Sequence, residues 1–171
     1  GHGEALDTLM TDGGFRPAYD VRMATAGSEM GGARTIVGVQ VTNVGSDMGS
    51  ISPMLDEIEK RVGCMPKTLL ADANHAAHEC IRDAARRGVV ALIAVPERSK
   101  DGGPNAANDE AIVEWRNRMQ TEEAQDLYRA RAGLCELMNA HLRSHHGVNQ
   151  FLVRGLGKVT CVALLAALAS N

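Results

Sequence analysis

The stretch LLADANHAAHECIRDAARRGVVALIAVP, residues 69–96, constrains the fold more than any other part of the sequence. A short apolar run, KTLLA at 67–71, ends on the lone carboxylate Asp72, and helical spacing follows over 75–87. A second apolar run rich in β-branched residues, VVALIAVP at 89–96, comes directly afterwards. Strand, helix and strand in this order are typical of α/β domains, whose ligands bind at the carboxyl ends of strands. We therefore expect Asp72 to stand at such an end.

The segments on either side extend this order of elements. FRPAYDVRMAT (15–25) and TIVGVQVT (35–42) alternate in the way strands do, and together they predict a hairpin. FLVRG (151–155) predicts a brief extended piece. Helices are predicted near 53–62, 109–119, 121–145 and 156–170. The last of them is apolar on nearly every side, so we expect it to be buried. A mixed sheet flanked by helices accounts for the whole order.

Composition limits the class of protein. The 171 residues suffice for one domain with a core, and 44% of them are apolar. The net charge of -3 is unlike that of a typical nucleic-acid module, so contact with DNA would need a local basic patch. Four scattered cysteines without a CxxC pair favour a reducing cytoplasm over a zinc ribbon or a disulfide framework. No apolar run is long enough for a bilayer, and no signal peptide is seen, so we expect no membrane contact.

Four pieces of the chain carry a resemblance to a known family. They are DGGFRPAYDV (12–21), VGVQVTNVGSDMG (37–49), LLADANH (69–75) and YRARAGLCELMNAHLRSHHGVNQFLVRGLGKV (128–159). In order and spacing they resemble the C-terminal catalytic domain of bacterial insertion-sequence transposases of the DDE type. The last piece is the most specific, because an arginine-rich helix, a glutamate and a following "F-V-RG-KV" segment recur together.

The resemblance implies a ribonuclease H-like α/β fold, with residues 3–171 forming a single catalytic domain and the N-terminal DNA-binding module absent. It implies metal-dependent phosphodiester cleavage and strand transfer at the ends of an insertion sequence. Three carboxylates, Asp-Asp-Glu, would hold two Mg²⁺ (or Mn²⁺) ions ~4 Å apart, which activate the attacking oxygen and stabilise the leaving one. The implied partner is DNA, both transposon ends and target. A bacterial cytoplasmic protein associated with the nucleoid, and a homodimer as one assembly, would follow.

Individual residues take their roles from this resemblance. Asp72 matches the second catalytic, metal-binding carboxylate and Glu136 the third. Tyr128, Arg131 and Arg143 match, with Glu136, a Tyr-Arg-Glu-Lys signature of related transposases, and they are the expected DNA contacts. The match is imperfect, because Glu136 falls one residue late and the last position is Arg instead of Lys.

The first carboxylate of the family is missing. It is expected directly after Ala24-Thr25, where this chain has Ala26. Asp20 points to the same face but lies six residues away, ~20 Å along a strand. Asp47 or Glu29 could supply a replacement from a loop. The leading explanation is that the carboxylate is lost, which leaves enzymatic activity open; the third explanation is that the chain is wrongly aligned with the family at this point. The alternative function is a non-catalytic transposase relic or a DNA-binding fragment.

Several of these residues also have simpler interpretations. Asp72 could be a helix cap or turn residue, and Glu136 a solvated helix charge. A rival enzyme class would use His75 and His78, spaced i and i+3, to ligate a transition metal together with Asp72. Two further clusters stay open. His141, His145 and His146 favour the dipole at a helix end over a local metal pocket, and Arg82, Arg86 and Arg87 favour a solvated face over a DNA contact.

Overall fold

The computed structural model describes residues 5–9, 15–27, 34–44, 48–96, 109–146 and 150–171. Its strands are β1 (Leu6–Leu9), β2 (Phe15–Ala18), β3 (Asp20–Ala26), β4 (Thr35–Thr42), β5 (Thr68–Ala71) and β6 (Val90–Ile93). Its helices are α1 (Ile51–Val62), α2 (His78–Arg86), α3 (Glu110–Arg118), α4 (Glu122–His146) and α5 (Leu156–Ser170). The α/β prediction is confirmed, and antiparallel and parallel strand pairs both occur, which is compatible with a ribonuclease H-like fold.

The chain divides into two compact units. One unit runs from Asp47 to Leu134, and the other combines Gly1–Ser46 with Cys135–Asn171. We call them the central unit and the terminal unit. The boundary falls inside α4, so each unit holds part of that helix.

The central unit is built on a β-α-β motif. Strands β5 and β6 pair in parallel, with Thr68 opposite Val90 and Ala71 opposite Ile93, and α2 connects them. Apolar residues of β6 and of the neighbouring helices form its core. Trp115 on α3 is fully buried there, and its Nε1–H donates a hydrogen bond of 3.0 Å to the carbonyl of Ile93. Trp115 therefore joins α3 to the strand pair β5–β6.

The helix predicted over 75–87 begins later in the structure. A single turn of 3-10 helix, Ala73–His75, follows β5, and α2 starts at His78. Ala77 between them is extended, with φ -69° and ψ 128°. Asp72 caps the start of this turn, and the ring of His75 bonds to the Ser50 hydroxyl at 2.6 Å. This arrangement fixes the short loop that follows the strand.

The terminal unit contains the predicted hairpin. Strands β3 and β4 pair antiparallel from Asp20 opposite Thr42 to Ala26 opposite Thr35, with a register shift between Ala24 and Thr25. Helix α5 packs on β4. The last residue, Asn171, closes this contact, since its side chain accepts the N–H of Ile36 at 2.7 Å and donates to the Ile36 carbonyl at 3.0 Å.

Three local predictions for the terminal unit are wrong. The segment 15–25 is not one strand, because the chain breaks at Tyr19 and β2 pairs with β1, a strand that was not predicted. No strand occurs at 151–155, where Gly155 instead donates its N–H to the hydroxyl of Tyr19 at 2.9 Å. The apolar helix α5 is not buried all round, because its mostly small residues pack on one side only.

Candidate active site

Asp72 lies where the sequence predicts it, immediately after the last residue of β5. Its backbone is extended, and its Oδ1 accepts the N–H of Ala73 at 2.8 Å. The side chain is 53% exposed. Asp72 is therefore a helix cap as well as a carboxylate at the carboxyl end of a strand. A carboxylate has about four acceptor positions, so one such bond leaves it able to bind a hard cation.

Arg131 on α4 reaches toward this carboxylate. Its Nη2 lies 3.9 Å from Oδ1 of Asp72, and the Arg131 side chain is 25% exposed. The guanidinium also lies over the ring of Tyr128, 5.1 Å from the ring centroid. Such a contact orients an arginine through the negative face of the ring. The structure thus brings together three of the predicted site residues, Asp72, Tyr128 and Arg131, in the central unit.

Two histidines follow Asp72, and each has a packing role. The ring of His75 bonds to the hydroxyl of Ser50, a buried residue at the start of α1. The ring of His78 meets Trp115 edge-on, with centroids 6.3 Å apart. Burial lowers the pKa of His78, and the cations Arg116 and Arg82 lower it further against the opposing effect of Asp109.

The described residues argue against the transition-metal rival. Within the described ranges, no three His, Cys, Asp or Glu side chains lie close enough together to hold a metal ion. Asp72, His75 and His78 are all described, so these three do not form such a group. This result does not test a Mg²⁺ site that includes Glu136. Glu136 belongs to α4, but its side chain lies outside the described part of the structure.

Ala26, where the sequence predicts that the first carboxylate is missing, is the last residue of β3. Its side chain is exposed, and it pairs with Thr35 across the hairpin. Asp20 stands at the opposite end of the same strand and forms an ion pair with Arg22. Asp20 is therefore not a substitute for a residue at position 26. Glu29 and Asp47, the other two candidates, lie outside the described residues.

The remaining predicted residues belong to the terminal unit. Arg143 is exposed near the end of α4, where a DNA phosphate could reach it. Ala26 and Glu136 are in the same unit, whereas Asp72 is in the central unit. The carboxylate roles of Asp72 and Glu136 and the DNA contacts of Tyr128, Arg131 and Arg143 stay predictions.

Arg82 of α2 and Arg87, the residue that caps the end of this helix, are engaged with carboxylates of the central unit. Arg82 pairs with Asp109, and Arg87 with Asp83 and Asp56. A hydrogen bond from Arg82 is the largest influence that lowers the pKa of Asp109. Because these charges are matched within the fold, the structure favours the solvated face that the sequence predicted.

Two contacts at the site were not predicted from the sequence. The ion pair between Asp72 and Arg131 joins residues far apart in the chain, and so does the bond between Ser50 and His75. Periodicity carries no signal for either of them. The stacking of Arg131 on Tyr128 could have been found, because residues three apart on a helix are neighbours.

Comparisons with known proteins bear on the second half of the chain. Residues 103–171 match the family described as Transposase DDE domain, which confirms the resemblance over that part. The matched range includes Tyr128, Arg131, Glu136 and Arg143 but neither Asp72 nor Ala26. The comparison with curated proteins found no match, and neither did the comparison with solved structures. In the part of the chain that is described, no helix is long and apolar enough to cross a membrane.

Proposed function

We propose that this chain, whose residues 103–171 match the DDE transposase family, is a transposase catalytic core over its whole length. Its reaction is metal-dependent cleavage and transfer of phosphodiester bonds at the ends of an insertion sequence. Asp72 and Glu136 are the remaining catalytic carboxylates, and Ala26 occupies the position of the third. DNA is the partner, with Tyr128, Arg131 and Arg143 among its contacts.

The family match is the observation that carries this proposal, and the position of Asp72 supports it from outside the matched range. Nothing in a match over residues 103–171 requires a carboxylate at the end of β5, yet Asp72 stands there with half of its side chain exposed. A strand end with an accessible carboxylate suits a hard divalent ion. Mg²⁺ or Mn²⁺, when bound, would supply Lewis-acid stabilisation of the charge on the reacting phosphate.

The chain's own residues position the DNA in this proposal. Arg131 carries a fixed positive charge beside Asp72, and Tyr128 holds its guanidinium in place. Arginine presents several donors in a planar fork and binds phosphate oxygens well. Arg131 would therefore hold a backbone phosphate near the carboxylate, and the exposed Arg143 would bind a phosphate farther along the strand.

The test is nicking of supercoiled DNA in Mn²⁺ by the chain and by its Ala26→Asp variant. We expect Ala26→Asp to raise the nicking rate by at least ~10-fold, because it restores an anchor for one ion. Asp72→Ala and Glu136→Ala, each added to Ala26→Asp, should abolish the gain.

Thr25→Asp is the matched control for this gain of activity. It adds the same charge one residue away, where the alternation of a strand turns the side chain to the other face of β3. Equal gains from Ala26→Asp and Thr25→Asp would reject Ala26 as the vacant catalytic position. Thermal unfolding of every variant separates lost activity from lost fold.

The alanine at position 26, where a carboxylate is expected, favours a second candidate function: a transposase relic that binds DNA without cutting it. Without its first carboxylate, the ion nearest to position 26 loses a ligand. DNA binding without nicking in any variant, Ala26→Asp included, would support this second function and overturn the first.

A further inference from the structure

Three histidine rings lie together at the end of α4, in the terminal unit. The rings of His141 and His145 have centroids 4.8 Å apart and are tilted by 38°. The ring of His146 meets that of His141 at 5.2 Å and 63°. His141 and His145 are exposed to solvent, and His146 is half-buried. The proposed catalytic site uses none of these rings.

The pairs His141–His145 and His141–His146 differ in their spacing along the helix. Residues four apart stand on one face of a helix, one turn above each other, so His141 and His145 can direct ring nitrogens at one point. His146 is five residues from His141, which turns it well away around the axis. Its ring touches that of His141 at a steep angle instead of lying alongside it. The pair spaced by four is therefore the one suited to chelation.

Two imidazole ligands favour a particular class of metal ion. Imidazole nitrogen binds Zn²⁺, Ni²⁺ and Cu²⁺, whereas Mg²⁺ prefers oxygen ligands. The end of α4 also favours a cation, because the carboxyl end of a helix carries partial negative charge. Within the described residues no third His, Cys, Asp or Glu completes a group of three, and water would supply the other ligands.

We propose that His141 and His145 form a binding site for a divalent transition-metal ion, separate from the carboxylates of the proposed catalytic site. The ion takes two ring nitrogens from α4 and the rest of its ligands from water. Its binding fixes the last turns of the helix that also carries Arg131 and Glu136. The site does not depend on the proposed function, because it needs neither DNA nor Asp72.

The test is a titration of the chain with Zn²⁺, followed by NMR of the histidine ring C–H groups. We expect the signals of His141 and His145 to shift together and saturate at one equivalent of bound ion. His145→Ala should weaken binding by at least ~10-fold, because the second imidazole no longer acts at high effective concentration. A large excess of Mg²⁺ should leave the Zn²⁺ shifts unchanged.

His146→Ala is the matched control, since it removes a neighbouring ring of the same cluster. It should change the Zn²⁺ affinity by less than ~2-fold if the pair spaced by four binds the ion. Equal losses in His145→Ala and His146→Ala would overturn the assignment. So would Zn²⁺ binding that leaves the ring signals of His141 and His145 unmoved, because the ion would then be bound elsewhere on the chain.

Discussion

Asp72 combines two roles that a single carboxylate can fill at once. It ends a strand, and it caps the turn of helix that follows by accepting the N–H of Ala73. The cap holds the carboxylate in one orientation, and the remaining acceptor positions stay available to a cation. Arg131 lies beside it, with Nη2 3.9 Å from Oδ1, so its positive charge would oppose a metal ion bound to Asp72 as proposed.

That opposition gives a prediction at the residue scale. Arg131→Gln should tighten Mn²⁺ binding, because it removes a positive charge next to the proposed ligand Asp72. The ion pair between Asp72 and Arg131 is partly exposed and its N–O distance is long, so it contributes at most about 1 kcal/mol. The gain in Mn²⁺ affinity should therefore not exceed ~5-fold. Electron paramagnetic resonance of free Mn²⁺ measures this affinity.

Arg129→Gln is the control for this experiment. Arg129 is an exposed arginine of the same helix and pairs with Asp126 instead of Asp72. Its loss should leave the affinity for Mn²⁺ unchanged. Weaker binding in Arg131→Gln would show that Arg131 supports the metal site and does not compete for it.

His78 gives a second prediction, on pH. Burial, Arg116 and Arg82 lower its pKa below the ordinary 6.5, against Asp109, so the fold favours the neutral ring. The unfolded chain therefore binds the proton more readily. This contribution to stability is present above pH 6.5 and is lost as the pH falls through the folded pKa. Lowering the pH below 6.5 should destabilise the central unit.

Urea unfolding at two pH values measures this effect, with the fluorescence of Trp115, the single tryptophan, as a probe of the central unit. His78→Gln should reduce the loss of unfolding free energy that the wild-type chain shows between the higher and the lower pH. His145→Gln, at the exposed end of α4, should not. An unchanged pH dependence in His78→Gln would contradict the account of His78.

At the scale of the elements, α5 shows that an apolar sequence does not by itself decide burial. Its buried side is lined by Val159 and three alanines, Ala163, Ala166 and Ala167. On the other side Leu165 is 65% exposed and Leu168 is 72% exposed. Small residues face β4 because they allow the helix axis to approach the strand closely.

The two sides of α5 should therefore respond differently to substitution. Ala163→Leu adds volume where Ala163 is 0% exposed and should cost about 1–3 kcal/mol of unfolding free energy. Leu165→Gln should stay within about 0.5 kcal/mol of the original chain. Urea unfolding followed by circular dichroism measures both. A larger loss in Leu165→Gln than in Ala163→Leu would contradict this packing.

The sequence predicts those elements whose pattern is local. The pairing of β3 with β4, the strand that ends at Asp72 and the extent of α5 follow from periodicity and from breakers such as Gly88. The break at Tyr19 could not be predicted, because it accompanies a hydrogen bond to Gly155, which is remote in the chain. The contacts of Asp72 with Arg131 and of Ser50 with His75 also join residues far apart in the chain, so they could not be predicted from local patterns.

At the scale of the whole molecule, the net charge of -3 means that the proposed DNA binding would have to come from local groups. Arg82 of α2 and Arg87 directly after it are matched by Asp83, Asp56 and Asp109 within the central unit. The arginines of α4 include the exposed Arg143 and the stacked Arg131. The proposed DNA contacts therefore belong to α4, a helix that lies wholly within the range matched to transposases.

The central proposal is that Asp72 and Glu136 are metal-binding carboxylates, and metal-directed cleavage of the protein backbone tests it most directly. Fe²⁺ replaces Mg²⁺ and reduces added hydrogen peroxide, itself becoming Fe³⁺, to hydroxide and a hydroxyl radical that cuts the chain close to the bound ion. We predict fragments that end near both Asp72 and Glu136, suppressed by excess Mg²⁺ and lost in Asp72→Ala. Cleavage confined to the neighbourhood of His141 and His145, or unaffected by Asp72→Ala, would contradict the claim.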